Sequence, residues 1–122
     1  MKTKKTPLGS EGALFALSGE LDAFTGPPLR EELGEAVEQG ARFLVLDMSQ
    51  VEYMDSVGLG IIVGAVKRTR EQQGNLAVVG PQANVLRVFE VSGTKDLLNV
   101  VRTLEEAKGR LKGLQIDDVE GQ

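Results

Sequence analysis

The residues with the most chemical content are Met54-Asp55-Ser56-Val57-Gly58-Leu59-Gly60, where a carboxylate, a hydroxyl and two glycines open an apolar-periodic segment. A serine at such a point has two readings. It is a helix N-cap, its oxygen accepting one of the free backbone N–H groups. Alternatively it is a site for phosphate, because those N–H groups and the helix dipole favour negative charge. A phosphate on Ser56 adds about −1.5 to −2 charges, here beside Asp55. The predicted helix also holds Gly58, Gly60 and Gly64, and each interior glycine costs about 1 kcal/mol relative to alanine. Something must need the missing side chains. Close packing against the sheet or a neighbouring element is the expectation for Gly64. For Gly58, packing and the approach of a partner surface both stay open.

Much other chemistry is excluded. The chain of 122 residues has no His, no Cys and no Trp. It therefore has no Ser-His-Asp triad, no imidazole or thiolate metal site, no disulfide and no cysteine nucleophile. No G-x-x-x-x-G-K-[ST] run is present. Gly58-x-Gly60-x-x-x-Gly64 does not suit a dinucleotide, whose glycines follow a strand directly and are matched by an acid at the end of the next strand. Here Met48–Ser56 is expected to intervene, and the next strand ends at Val79-Gly80. Asp117-Asp118 lies in a polar tail and reads as solvated, while Ser49, Ser92 and Thr25 read as loop or cap hydroxyls. No catalytic residue, metal or cofactor is expected. With 14 basic and 18 acidic side chains the net charge is −4, which argues against nucleic acid and against a purely electrostatic membrane contact. No apolar run is long enough to span a bilayer, and Met1-Lys2-Thr3-Lys4-Lys5 lacks the apolar core of a signal peptide. A soluble cytoplasmic protein is the expectation.

The elements that must position Ser56 read as an alternation of strands and helices. Residues 1–12 form an arm or a weak edge strand, and Ala13–Leu17 a strand. Ser18 to Asp22 then leads into a loop. Thr25 is a plausible N-cap, Pro27 and Pro28 suit a first helical turn, and Leu29, Leu33 and Val37 recur every four residues until Gly40. Phe43-Leu44-Val45-Leu46 and Leu76-Ala77-Val78-Val79 are continuously apolar, as central strands covered on both faces are. A helix is predicted between them from about Val57 to Gln73. Residues 82–91 suit a short helix capped by Gly93, and Leu97–Val101 a last short strand. Thr103-Leu104-Glu105-Glu106 is a capping box, followed by the core stripe Leu104, Ala107, Leu111 and Leu114. This order implies an α/β fold: a mixed, mostly parallel sheet of four or five strands with about four helices.

Leu17-Ser18-Gly19-Glu20-Leu21-Asp22, Leu44-Val45-Leu46-Asp47 and Met54-Asp55-Ser56-Val57-Gly58-Leu59-Gly60 resemble the STAS-domain family. The likeness is strongest to its stand-alone bacterial anti-sigma factor antagonists. Val85-Leu86-Arg87-Val88-Phe89-Glu90-Val91-Ser92-Gly93 is similar to that family's third-helix segment. The resemblance places a STAS domain over 13–114, after the arm at 1–12 and before an acidic tail at 115–122. It implies that Ser56 is phosphorylated by an anti-sigma factor that is itself a serine kinase. The unphosphorylated form would bind that kinase and free a sigma factor, and a phosphatase would reverse the modification. It further implies partner contacts at Asp22, Asp55, Ser56, Val57, Gly58, Leu59 and Gly60, and a protein that is a substrate rather than an enzyme. Val57 stands where relatives often carry Ser or Thr. The alternative within the same fold is an accessory subunit of a lipid or anion transporter, or a signalling scaffold.

Overall fold

A computed structural model describes residues 1–111. Nine elements follow one another: β1 (Lys2–Leu8), β2 (Gly12–Leu21), α1 (Gly26–Glu38), β3 (Phe43–Met54), α2 (Ser56–Glu71), β4 (Asn75–Val79), α3 (Ala83–Ser92), β5 (Val100–Val101) and α4 (Leu104–Arg110). The five strands lie side by side in chain order. β1 is antiparallel to β2, and β2 to β5 are mutually parallel.

This order decides where the helices go. Each parallel step moves one strand further in the same direction, and right-handed crossovers then place the connecting helices on one face. Leu29 and Leu33 of α1, Ile62 and Val66 of α2, and Val85 and Phe89 of α3 accordingly share one core with Phe15, Leu44 and Leu46. The opposite face carries Phe43, Val45, Ala77 and Val79 and is covered by Ala107 and Leu111 of α4. The continuous apolar run in β3 thus supplies both cores by simple alternation. Leu104 packs against the second core as well, while Leu114 and the acidic tail lie outside the described residues.

Several boundaries differ from the sequence reading. The arm is an edge strand, β1, paired with β2 from Lys2↔Ser18 to Leu8↔Gly12. Lys2, Lys4 and Lys5 are exposed on this edge, where charge discourages pairing with another chain, and Pro7 is tolerated on a strand with one open side. β2 continues to Leu21 instead of ending at Leu17, and β3 runs to Met54 instead of Asp47. The polar residues after Asp47 hide this extension, since β3 bulges twice against β2 between Ala16/Ser18 and Gly19/Glu20. Only Asp55 therefore separates β3 from α2, so the nine-residue gap expected before the glycines does not exist. Beyond Asp47 the strand has outrun β4, and side chains of the α3 entry replace the missing neighbour. Gln82 Nε2 donates to the Ser49 carbonyl at 3.0 Å, and Asn84 Nδ2 to the Glu52 carbonyl at 2.8 Å. The last strand is only Val100–Val101, because Leu98 and Asn99 donate to Thr94 and Asp96 in a turn. The start of α1 agrees with the sequence reading: Thr25 is the residue before the helix, which opens at Gly26, and Glu31 and Glu32 fall in its second turn.

Candidate functional site

Parallel strands send all their C-terminal ends to one edge, and in open α/β sheets that edge is where ligands and partners are met. Here Leu21↔Met54 is the last register pair of β2 and β3. The connections that follow, residues 22–25 and the single residue Asp55, are consequently neighbours. The Asp55 N–H donates to the Leu21 carbonyl at 3.2 Å, tying the second connection to the end of β2.

The N-cap of α2 is Asp55, not Ser56. Asp55 is extended (φ −106, ψ −173), and its Oδ1 accepts from the N–H groups of Val57 and Gly58, both at 3.0 Å. Ser56 is therefore the first helical residue. Its side chain is exposed, and its hydroxyl has no hydrogen-bond partner among the described residues. The backbone donors that welcome an anion at a helix start are largely taken by Asp55 already. A phosphate on Ser56 would sit beside a carboxylate without displacing water from a ready cradle.

The first loop is a closed hydrogen-bonded turn. Asp22 Oδ1 accepts from the N–H groups of Phe24 at 2.9 Å and Thr25 at 3.0 Å. Thr25 Oγ1 accepts from the Asp22 N–H at 2.9 Å and donates to the Glu20 carbonyl at 2.7 Å. Thr25 occupies the cap position of α1, but its hydroxyl serves the turn and makes no cap bond to the helix. The N–H groups of Thr25 and Phe24, in that order of effect, hold the Asp22 carboxyl below the usual carboxylate range.

The glycines divide in a way their spacing does not reveal. Gly58 is buried, and a methyl group on it would lie 2.7 Å from Leu21 Cγ and 2.9 Å from the Leu21 carbonyl oxygen. Gly60 and Gly64 have open space where a side chain would stand, so close packing does not account for Gly64. Both line a groove of about 310 Å³ between α1 and α2, together with Val57, Ile61, Arg30 and Arg68. The tight helix–helix contact lies elsewhere, where Gly26 of α1 faces Ile61 and Gly34 faces Arg68.

The residues singled out from sequence thus share one edge of the molecule. Ser56, Val57 and Gly60 are exposed, Asp22, Asp55 and Leu59 are half-buried, and Gly58 lies beneath them. Sequence reasoning passed over Phe24, which stands 90% exposed in the loop with Asp22. The available signal was a lone aromatic side chain inside an otherwise polar turn. Among the described residues no cluster of three or more acidic side chains is placed to hold a metal ion, and no helix is long and apolar enough to cross a membrane.

A mixed, mostly parallel α/β sheet thus carries an exposed serine, the acid that caps α2 and an exposed aromatic ring at one edge. The chain belongs to the STAS-domain family, whose sequence profile matches residues 4–107. It is 36% identical over 93 residues to the anti-sigma-B factor antagonist of Listeria monocytogenes, covering 76% of this chain and 82% of that protein. Against the anti-sigma-B factor antagonist of Bacillus subtilis the identity is 37% over 84 residues, 69% of this chain and 76% of the other. The anti-sigma factor antagonist SpoIIAA in its unphosphorylated form superposes with a TM-score of 0.78 at 26% identity, covering 99% of this chain and 98% of that one. The STAS domain of a SulP transporter from Vibrio cholerae has the same fold, with a TM-score of 0.68 at 19% identity over 95% of this chain and 89% of that one.

Proposed function

We propose that this chain is an anti-sigma factor antagonist, acting in the cytoplasm as a binding module and not as an enzyme. In its unmodified form it binds a serine-kinase anti-sigma factor through the edge formed by Asp22, Asp55, Ser56, Val57 and Gly60. Gly58 and Leu59 support that edge from below. The kinase transfers the γ-phosphoryl group of ATP to Ser56 Oγ, ADP leaves, and the hydroxyl proton passes to a base on the kinase. A phosphatase returns the serine by hydrolysis.

The observation that carries this reading is the division of roles between Asp55 and Ser56. Asp55 takes the Val57 and Gly58 N–H groups, and Ser56 is left exposed at the first helical position. A dianion placed there gains little from the helix end and stands against the Asp55 carboxylate. At the centre of an interface such a charge is either desolvated or left unpaired, a penalty of several kcal/mol. Each 1.4 kcal/mol is tenfold in affinity, so release by orders of magnitude follows. The names of the relatives agree with the role.

The test is intact-mass analysis after incubation with ATP and the anti-sigma factor serine kinase encoded nearest to this gene. One added phosphate, absent in Ser56→Ala, is the expected result. Ser56→Asp should bind that kinase at least a hundredfold more weakly than Ser56→Ala. Equal binding by the two variants would refute the switch.

A further inference from the structure

We propose that Phe24 is the apolar anchor by which the anti-sigma factor grips this edge. Phe24 is 90% exposed, the most exposed of the large apolar side chains described. The fold does not use it: α1 buries Gly26, Leu29 and Leu33 instead. Yet its backbone is held firmly. The Phe24 and Thr25 N–H groups are bound by Asp22 Oδ1, Thr25 Oγ1 bridges Asp22 and Glu20, and the Gly26 N–H donates to the Asp22 carbonyl at 2.8 Å. With the backbone of its turn already held, the segment has little backbone freedom left to lose on binding, and the exposed ring gives up only its two side-chain torsions. Interface hot spots are commonly such pre-organised aromatic side chains.

Position identifies the occupant. Leu21 and Met54 are paired, and Asp55 is bonded to Leu21, so the loop bearing Phe24 adjoins the start of α2, where Ser56 stands. A partner centred on Ser56 meets Val57, 44% exposed, on one side and Phe24 on the other. Beside the ring a hollow of about 220 Å³, lined by Met1, Thr3, Pro28, Leu29 and Glu32, offers an adjoining seat for a partner side chain. Val91, 80% exposed near the C-terminus of α3, lies toward the other end of the sheet and serves as the control. Phe24 acts on the same partner as Ser56, so this role rests on the partner-switching reading above.

The experiment measures the dissociation constant of the full chain and its variants for the same anti-sigma factor kinase, with thermal unfolding in parallel. Phe24→Ala should weaken binding about thirtyfold or more with an unchanged Tm. Phe24→Tyr should restore affinity to within about threefold, and Val91→Ala should bind as the wild type does. In phosphorylation assays Phe24→Ala should raise KM and leave kcat unchanged, since it removes binding common to ground and transition states. Wild-type affinity in Phe24→Ala, alongside lost binding in Ser56→Asp, overturns the anchor and leaves the switch standing. A lowered Tm in Phe24→Ala also overturns it, by making the role structural. Failure of the wild-type chain to bind, or undiminished binding by Ser56→Asp, overturns the switch itself.

Discussion

Leu21 and Gly58 are in such close contact that no side chain fits between them. The Leu21 carbonyl oxygen stands 2.9 Å from where a Gly58 methyl group would be, and the same carbonyl accepts the Asp55 N–H. The end of β2 and the start of α2 are therefore locked together. That contact sets Asp22, the residue after Leu21, beside Ser56, two residues before Gly58.

Gly58→Ala should accordingly lower stability by about 1–3 kcal/mol, the range for overpacking a filled site. Gly60→Ala and Gly64→Ala should do the reverse. Both positions are helical and unobstructed, so each substitution recovers up to about 1 kcal/mol of helix propensity and raises Tm by a few degrees. Thermal unfolding of the three variants checks the division, and equal signs for all three would contradict it.

Asp55→Ala removes the carboxylate that holds the N–H groups of Val57 and Gly58, and should cost about 0.5–2 kcal/mol. Asp55→Asn should retain most of that stability, because asparagine caps about as well. Urea unfolding of the pair separates the hydrogen bond from the charge.

The Asp22 turn makes a prediction about acid. Its carboxyl is held below its ordinary value in the folded chain, so the unfolded chain takes up the proton more readily. The stabilisation is thus fully present above the unfolded value of about 3.9 and is lost as pH falls through the folded value. The stability difference between wild type and Asp22→Asn should be flat from about pH 6 to 8 and shrink below about pH 4. A difference that grows on acidification would show the sign to be wrong.

Asn99 ends the sheet with its side chain. It adopts φ 49, and its Nδ2 donates to the Leu76 carbonyl at 2.9 Å, extending the β4–β5 ladder ahead of the point where β5 begins. Asn99→Ala both strains the backbone and orphans a buried carbonyl, for a loss of about 2–4 kcal/mol. Asn99→Gly relieves the first fault only, and its unfolding midpoint should fall between those of wild type and the alanine variant.

The sequence by itself determined the alternation of strands and helices, and with it a mainly parallel sheet. Phe43–Leu46 and Leu76–Val79 could only be central strands, because their apolar runs need cover on both faces. Gly93, at φ 75, and Thr103, accepting from the Glu106 N–H, end and begin their helices where their chemistry says they should. The Asp-Ser-x-Gly-Leu-Gly segment was legible as a helix start, and its likeness to STAS domains matches the family found.

The rest required neighbours distant in the chain. β1 has little strand character of its own and forms because β2 offers a free edge. β3 reaches Met54 because it bulges to stay paired with β2, and Gln82 and Asn84 bind the carbonyls that β4 leaves open. Asp55 and Ser56 are equally good caps in isolation. The Leu21 carbonyl decides between them, since it holds the Asp55 N–H and so keeps Asp55 extended and outside the helix. Spacing also made Gly58, Gly60 and Gly64 look alike. Only packing separates the first, which lets two elements touch, from the other two, which leave a helix face open. Local propensity names the residues able to fill a role, and long-range contact assigns the role to one of them.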